Sequence, residues 1–405
     1  MARKPYFMKH ASVLTILMLA SFASAQSHVA TVGTVDGDAS WIEAAGGGQS
    51  VGDLDPNSTV EPVGYFPNRN SGPLPFLSDL GGRSRSSCDS GCDAGCAGQC
   101  GTSCAPPWWA HRRTAFAEYL HLRPTDSDIV HSVEQNDSSA NAFPTGPVGI
   151  TAIEGSAGFR AGAVLASSYK SSLVLTYTGW EGDDFDRLVR NGSNVLNSQI
   201  LHPSSATTGS NSLRASAISE MEFNMFDASY RNIMYCSPTT AVNWFAGLRY
   251  GQLEQSLLAQ QEVSVATGLV TADVDIDFSG FGILFGLDAE RRSCTTGLLC
   301  YSRGVASFLG GDWEATYRQS NQFGGGVIAN DFEEFRITPV LEAELGIGWQ
   351  NDCGSLRATT GYMASAWYNA LKTRSYIEGV REGAPEYDDE SIGFIGLTSR
   401  IEYRF

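Results

Sequence analysis

The chain closes on "IGFIGLTSRIEYRF", and these residues alternate in character: Ile395, Leu397, Ile401, Tyr403 and Phe405 fall on one parity, Thr398, Arg400, Glu402 and Arg404 on the other. A repeat of two is the period of a β-strand. A strand with one apolar and one charged face must lay the apolar face against a protein core or a lipid bilayer. That requirement limits the fold more than any other feature of the sequence, and the rest of the chain decides between the two.

The same alternation recurs upstream. In "VNWFAGLRYG", Val242, Trp244, Ala246, Leu248 and Tyr250 oppose Asn243, Gly247 and Arg249; in "LEAELGIGWQ", Leu341, Ala343, Leu345, Ile347 and Trp349 oppose Glu342, Glu344, Gly346, Gly348 and Gln350. "FGILFGLDAE" is the other regular segment, and "TAFAEYLHLRP", "GFRAGAVLASS", "SLVLTYTGW", "EMEFNMFDASYRN", "YSRGVASFLGGDW" and "LRATTGYMASAWYN" are weaker. In "EMEFNMFDASYRN" the apolar parity slips between Met225 and Phe226, which predicts a β-bulge. These segments make ten strands, within a range of 8–12.

The connections alternate long and short. Long ones run over about 124–156, 181–220, 252–273, 319–334 and 371–391; short ones over 167–171, 236–240, 291–297 and 351–355. Tight periplasmic turns alternating with long outer loops are the construction of an outer-membrane barrel. The expected fold is therefore all-β, an antiparallel transmembrane β-barrel with its apolar face in outer-membrane lipid. A secreted sandwich or lipocalin-like barrel is the soluble alternative. Segments of ~10 tilted residues match the apolar band of a membrane barrel. Trp180, Tyr250, Trp349 and Tyr368 near strand ends suit its aromatic girdles.

The N-terminus adds the compartment. "MARKPYFMKHASVLTILMLASFASAQS" places Arg3, Lys4 and Lys9 before an apolar run and Ala23-Ser24-Ala25 after it, the layout of a secretory signal peptide over 1–25. Residues 26–112 are rich in Gly, Ser, Asp and Pro and are expected to form a disordered periplasmic arm before a barrel over 113–405. A formal charge of −17 gives no basic surface for nucleic acid. No stretch has the ~18 consecutive apolar residues of a spanning helix.

Nine cysteines are present. Cys88, Cys92, Cys96, Cys100 and Cys104 recur every fourth residue in "SSCDSGCDAGCAGQCGTSC", but the interleaved glycines disfavour the helix that would align them for a metal. In an oxidising compartment disulfides are the expectation, within the arm or to envelope partners. Cys236, Cys294 and Cys353 fall in short turns and Cys300 follows one, so all are disulfide candidates, with Cys294–Cys300 closing a hairpin if geometry permits. No metal or other cofactor is expected.

"VNWFAGLRYGQLEQSL", "YSRGVASFLGGDWEATYRQSN", "PVLEAELGIGWQ" and "GYMASAWYNA" resemble blocks of the Legionella-type pore-forming major outer-membrane proteins, over about residues 113–405. The resemblance implies the barrel and a pore, and family knowledge adds recognition of a terminal strand ending in Phe405 by the barrel-assembly machinery. Ten strands lie near the ~8 at which side chains fill a barrel and far from the ~16–18 of open channels. Arg249, Glu342, Glu344, Arg357, Arg400, Glu402 and Arg404 point inward, either lining a narrow channel or pairing as a plug. The expected function is passive passage of small polar solutes; the alternative is a closed structural or adhesive envelope barrel that binds through its outer loops. An enzyme is not expected. Of His121, His131 and His202, the last two lie in loops; a histidine with a nearby carboxylate such as Asp126 or Asp128 could serve as a hydrolytic base, but they read as solvated loop histidines, and no GxSxG, Walker or zinc-helix motif accompanies them.

Overall fold

In the computed structural model of the protein, residues 106–139, 141–203, 212–264, 268–322, 327–383 and 390–405 are described. The predicted signal peptide, most of the arm and its cysteines Cys88, Cys92, Cys96, Cys100 and Cys104 lie outside them. The elements are β1 (Thr114–Thr125), β2 (Ile129–Gln135), β3 (Pro144–Thr151), β4 (Ser156–Ala166), β5 (Ser171–Val189), β6 (Val195–Ser198), β7 (Arg214–Cys236), β8 (Thr240–Ser264), β9 (Gly268–Arg292), β10 (Leu298–Asn321), β11 (Val327–Gln350), β12 (Leu356–Ala370), α1 (Thr373–Glu382) and β13 (Glu390–Arg404). Ten of these strands close an antiparallel barrel in the order β1-β13-β12-β11-β10-β9-β8-β7-β5-β4, and β3-β2-β6 form a separate small sheet. The terminal strand completes the ring: Glu118 sits opposite Arg400 on one side and Arg160 on the other.

Several strands are far longer than a bilayer requires. β8 and β9 continue through the expected 252–273 loop with only residues 265–267 between Ser264 and Gly268, and β10 and β11 likewise fill most of 319–334. The long loops predicted there are strand instead.

The reason is an inversion of polarity at constant register. Along β9, Phe281, Ile283, Phe285 and Leu287 are exposed on the outer face while Asp288 is buried within; further up, Asp273, Asp275 and Asp277 are exposed and Val270, Ala272, Val274, Ile276 and Phe278 are buried. The lower part is apolar outside and polar inside, as lipid demands. The upper part is polar outside and apolar inside, as water demands. Residues of one parity thus keep one face while the solvent of that face changes.

The same inversion accounts for the slip at Met225/Phe226. Pairing of β7 with β5 and β8 runs unbroken through both residues, and the register shift lies at Ile233/Tyr235. Met225 turns inward at 2% exposure and Phe226 outward at 49%. No bulge is needed, because each residue meets an apolar environment on its own side.

The end opposite the tight turns carries a cap. Tyr376, Ile377 and Val380 of α1 are buried in the same apolar cluster as the inner faces of β8, β9 and β10. The helix stops at Gly383, whose φ of 67° is the left-handed conformation that ends helices, with its N–H on the Gly379 carbonyl. The β2-β3-β6 sheet is fastened to β5: Asp186 accepts from the Ile150 N–H at 2.9 Å and lies 3.0 Å from His131 Nε2, and Asp184 accepts from the Ala152 N–H at 2.8 Å.

Candidate functional site: the barrel interior

The inner wall of the membrane-level barrel is lined by arginines and carboxylates, supplied by the parity opposite to the lipid row on each strand. In the upper tier Arg249 of β8 makes a two-pronged pair with Asp227 of β7, at 2.7 Å from Nε and 2.8 Å from Nη2, and its Nη1 reaches Glu342 of β11 at 2.9 Å. Ser307 accepts a further bond from Nη1 at 3.2 Å. Beside it, Arg160 of β4 bridges Glu118 at 2.7 Å and Glu344 at 3.3 Å and donates to Thr178 at 3.1 Å.

The lower tier faces the end that carries the tight turns. Arg231 pairs with Asp288 at 2.6 Å, Arg357 with Glu290 at 2.8 Å, and Glu402 takes Arg404 at 2.7 Å and Arg400 at 3.3 Å. The Arg400 guanidinium also lies over the Phe116 ring at 3.9 Å, a cation–π contact. His111, just before β1, closes this end: its ring nitrogens meet Ser172 at 2.8 Å and Asn243 at 3.0 Å. Burial, with Arg231 nearby, lowers its pKa to about 4, so the imidazole is neutral at physiological pH.

Above the ion pairs the interior changes character. Trp180, Phe223, Phe278, Trp313, Trp367 and Phe394 come from six different strands, and none is more than 2% exposed. They form a continuous contact chain: Trp313–Phe278 at 4.7 Å between centroids, Phe278–Trp367 at 6.3 Å, Trp367–Phe223 at 6.4 Å, Phe223–Phe394 at 4.8 Å and Phe394–Trp180 at 5.3 Å. These spacings are those of favourable offset and edge-to-face aromatic pairs. Leu120, Leu253, Leu309 and Met363 fill around them.

All seven charges expected inside are thus in the interior and paired, but the network is wider than the sequence suggested. Glu118, Arg160, Asp227, Arg231, Asp288 and Glu290 belong to it as well. Each sits at an inward position of a recognisable strand, which was the available signal. Trp180 departs from its predicted girdle role: it occupies the inner face of β5, and its indole N–H donates to the Ser156 carbonyl at 3.1 Å. Tyr250, Trp349 and Tyr368 do face outward at 41–44% exposure.

The remaining candidates are rearranged. His131 is 1% exposed rather than solvated, and the carboxylate beside it is that of Asp186. Burial lowers its pKa against the opposing pull of that carboxylate. His202 offers its backbone N–H to Gln319 at 2.8 Å. Cys300 is a free, exposed thiol on β10, so the Cys294–Cys300 pair is not formed.

Outside, immediately above the lipid-facing band, carboxylates stand opposite one another across successive strands: Glu181–Glu222–Glu254–Asp277–Glu314–Glu333. Like charges so paired oppose folding. Burial raises the pKa of Glu254, with Asp277 adding to it, and of Asp275, with Asp273 adding to it. A carboxyl whose folded pKa lies above its unfolded value destabilises the fold at neutral pH and ceases to do so as pH falls through the folded pKa. Glu254→Gln is therefore expected to raise stability at pH 7 by on the order of 0.5 kcal/mol, reduced by salt screening. The gain should shrink as pH is lowered into the carboxylate range. Thermal loss of the folded, heat-modifiable gel band at pH 7 and pH 4.5 reads the difference; equal gains at both would refute the repulsion.

No curated protein matches the chain. Among solved structures it is similar to the outer membrane protease OmpT from Escherichia coli, at 11% identity over 73% of this chain and 97% of that one, with a TM-score of 0.40. It is also similar to a Pseudomonas aeruginosa FadL homologue, at 8% identity over 73% and 90% with a TM-score of 0.21. The P. putida toluene transporter TodX shows 7% identity over 74% and 91%, with a TM-score of 0.23. Similarity this distant carries no activity across. The family comparison reaches further: the model described as Legionella pneumophila major outer membrane protein precursor matches residues 112–405, the whole barrel. With its lipid-facing belt, inverted upper wall and ten-strand closure, the chain belongs to the Legionella major outer membrane protein family and is an outer-membrane β-barrel.

Proposed function

We propose that this protein is a closed barrel that anchors a rigid extracellular β-extension and its cap in the outer membrane, and that at rest it does not pass solutes. The observation that carries this reading is the layer of six mutually contacting aromatic side chains across the interior. Water and ions cross polar gaps, and a dry aromatic layer offers none. The ion pairs below it support the same reading, because the paired charges that would attract a permeating ion are held by protein partners instead. The narrow channel drawn from the sequence gave weight to those charges as a lining; their pairing favours the plug.

Planar-bilayer recordings of heat-modifiable protein are expected to show no stepwise conductance. Steps of defined size whose ion selectivity shifts on Glu342→Gln with Glu344→Gln would overturn the proposal and restore the narrow pore. A passive platform of this kind serves by what it presents outside, on strands that rise beyond the lipid.

A further inference from the structure

A cavity of about 210 Å³ lies at the extracellular end between α1 and the β2-β3-β6 sheet. Ile129, Ile200 and Ile377, at 5%, 1% and 2% exposure, supply apolar lining, and Val130 and Val133 add to it. Arg374, Glu378 and Arg381 are its charged groups. Glu378 is engaged by Arg374 at 3.0 Å, so that pair is neutral as a unit.

Arg381 is held differently. Its Nη1 donates to the Gln199 carbonyl at 2.8 Å and its Nη2 to the Ser198 carbonyl at 3.4 Å, while its Nε–H is buried without a hydrogen-bond partner. It makes no ion pair among the described residues. The two carbonyls fix the guanidinium in place, and the Glu378 and Glu382 carboxylates of the same helix act on it only from beyond ion-pair distance. A positive charge pre-positioned beside an apolar lining matches a ligand that has an apolar body and a single negative head.

We infer that this cleft binds a small organic monocarboxylate, with its apolar body among the isoleucines and valines and its carboxylate on Arg381. The cavity is smaller than the usual range for drug-sized ligands, which limits the occupant to a single ring or a short chain. The site lies outside the membrane, and the inference stands whether or not the interior conducts.

The test is a ¹⁹F NMR titration of 4-fluorobenzoate against the full chain in nanodiscs, with empty nanodiscs subtracting lipid partitioning. The uncharged 4-fluorobenzyl alcohol is the comparator. Saturable binding of the benzoate is expected, with the alcohol at least tenfold weaker. Arg381→Gln should weaken the benzoate at least tenfold, and Arg318→Gln, outside the cavity, less than threefold. Val133→Trp, which fills the cavity, should abolish binding and carries the test if Arg381→Gln loses its heat-modifiable form. Absence of saturable binding, equal affinity for the alcohol, or undiminished binding in Val133→Trp would each overturn the inference.

Discussion

Replacing Arg249 by methionine is expected to lower the unfolding free energy by roughly 3–5 kcal/mol, the range found when one partner of a buried ion pair is removed. Arg249 is 2% exposed and is the counter-charge of Asp227 and of Glu342 at once. Without it, two carboxylates from β7 and β11 remain in the interior with their charge unmatched. Methionine retains most of the stem, so the loss reports the guanidinium rather than a packing void. The triple variant with Asp227→Asn and Glu342→Gln should recover most of the loss, since neutral partners carry no unmatched charge. Urea midpoints of the three proteins in the same nanodisc, monitored by gel mobility, check this. A single Arg249→Met as stable as the wild type would mean that water reaches the tier freely, and the plug would then be the wrong description.

The second large effect lies in the aromatic layer. Trp313→Ala is expected to cost about 3–5 kcal/mol, because truncating a buried large aromatic removes its transfer free energy and leaves a cavity that the surrounding wall cannot fully close. Trp313 is wholly buried, stacks on Phe278 at 4.7 Å and donates from its indole to Thr338 at 3.2 Å. Its neighbours are fixed by strand pairing on both sides, Phe278 on β9 and Glu334 on β11, which restricts collapse into the gap. Loss of the folded gel band at lower temperature is the readout. Trp313→Phe keeps an aromatic ring and should recover part of the loss; a Phe variant no better than Ala would assign the whole effect to the indole hydrogen bond.

The sequence by itself determined the class of fold, the strand number and the direction each inner charge takes. Those features depend on parity, and parity is written residue by residue: Arg249 opposite Leu248 and Tyr250, Glu342 and Glu344 opposite Leu341, Ala343 and Leu345. What it did not convey was where the outer face passes from lipid to water. In "VTADVDIDFSGFGILFGLD" the apolar residues move from one parity to the other at Ser279-Gly280, and the same move in "MEFNMFDASY" looked like a bulge. A change of parity is ambiguous along one strand, since a slip of register and a change of surroundings produce the same string. Only the neighbouring strands separate them, by holding the register while the environment changes. Partners are likewise a property of the assembled ring: Arg249 meets Glu342 across 93 positions of sequence, and Trp180 meets Phe394 across the β-barrel seam. Alternation fixes which side of the wall a residue faces; closure of the barrel decides what it finds there.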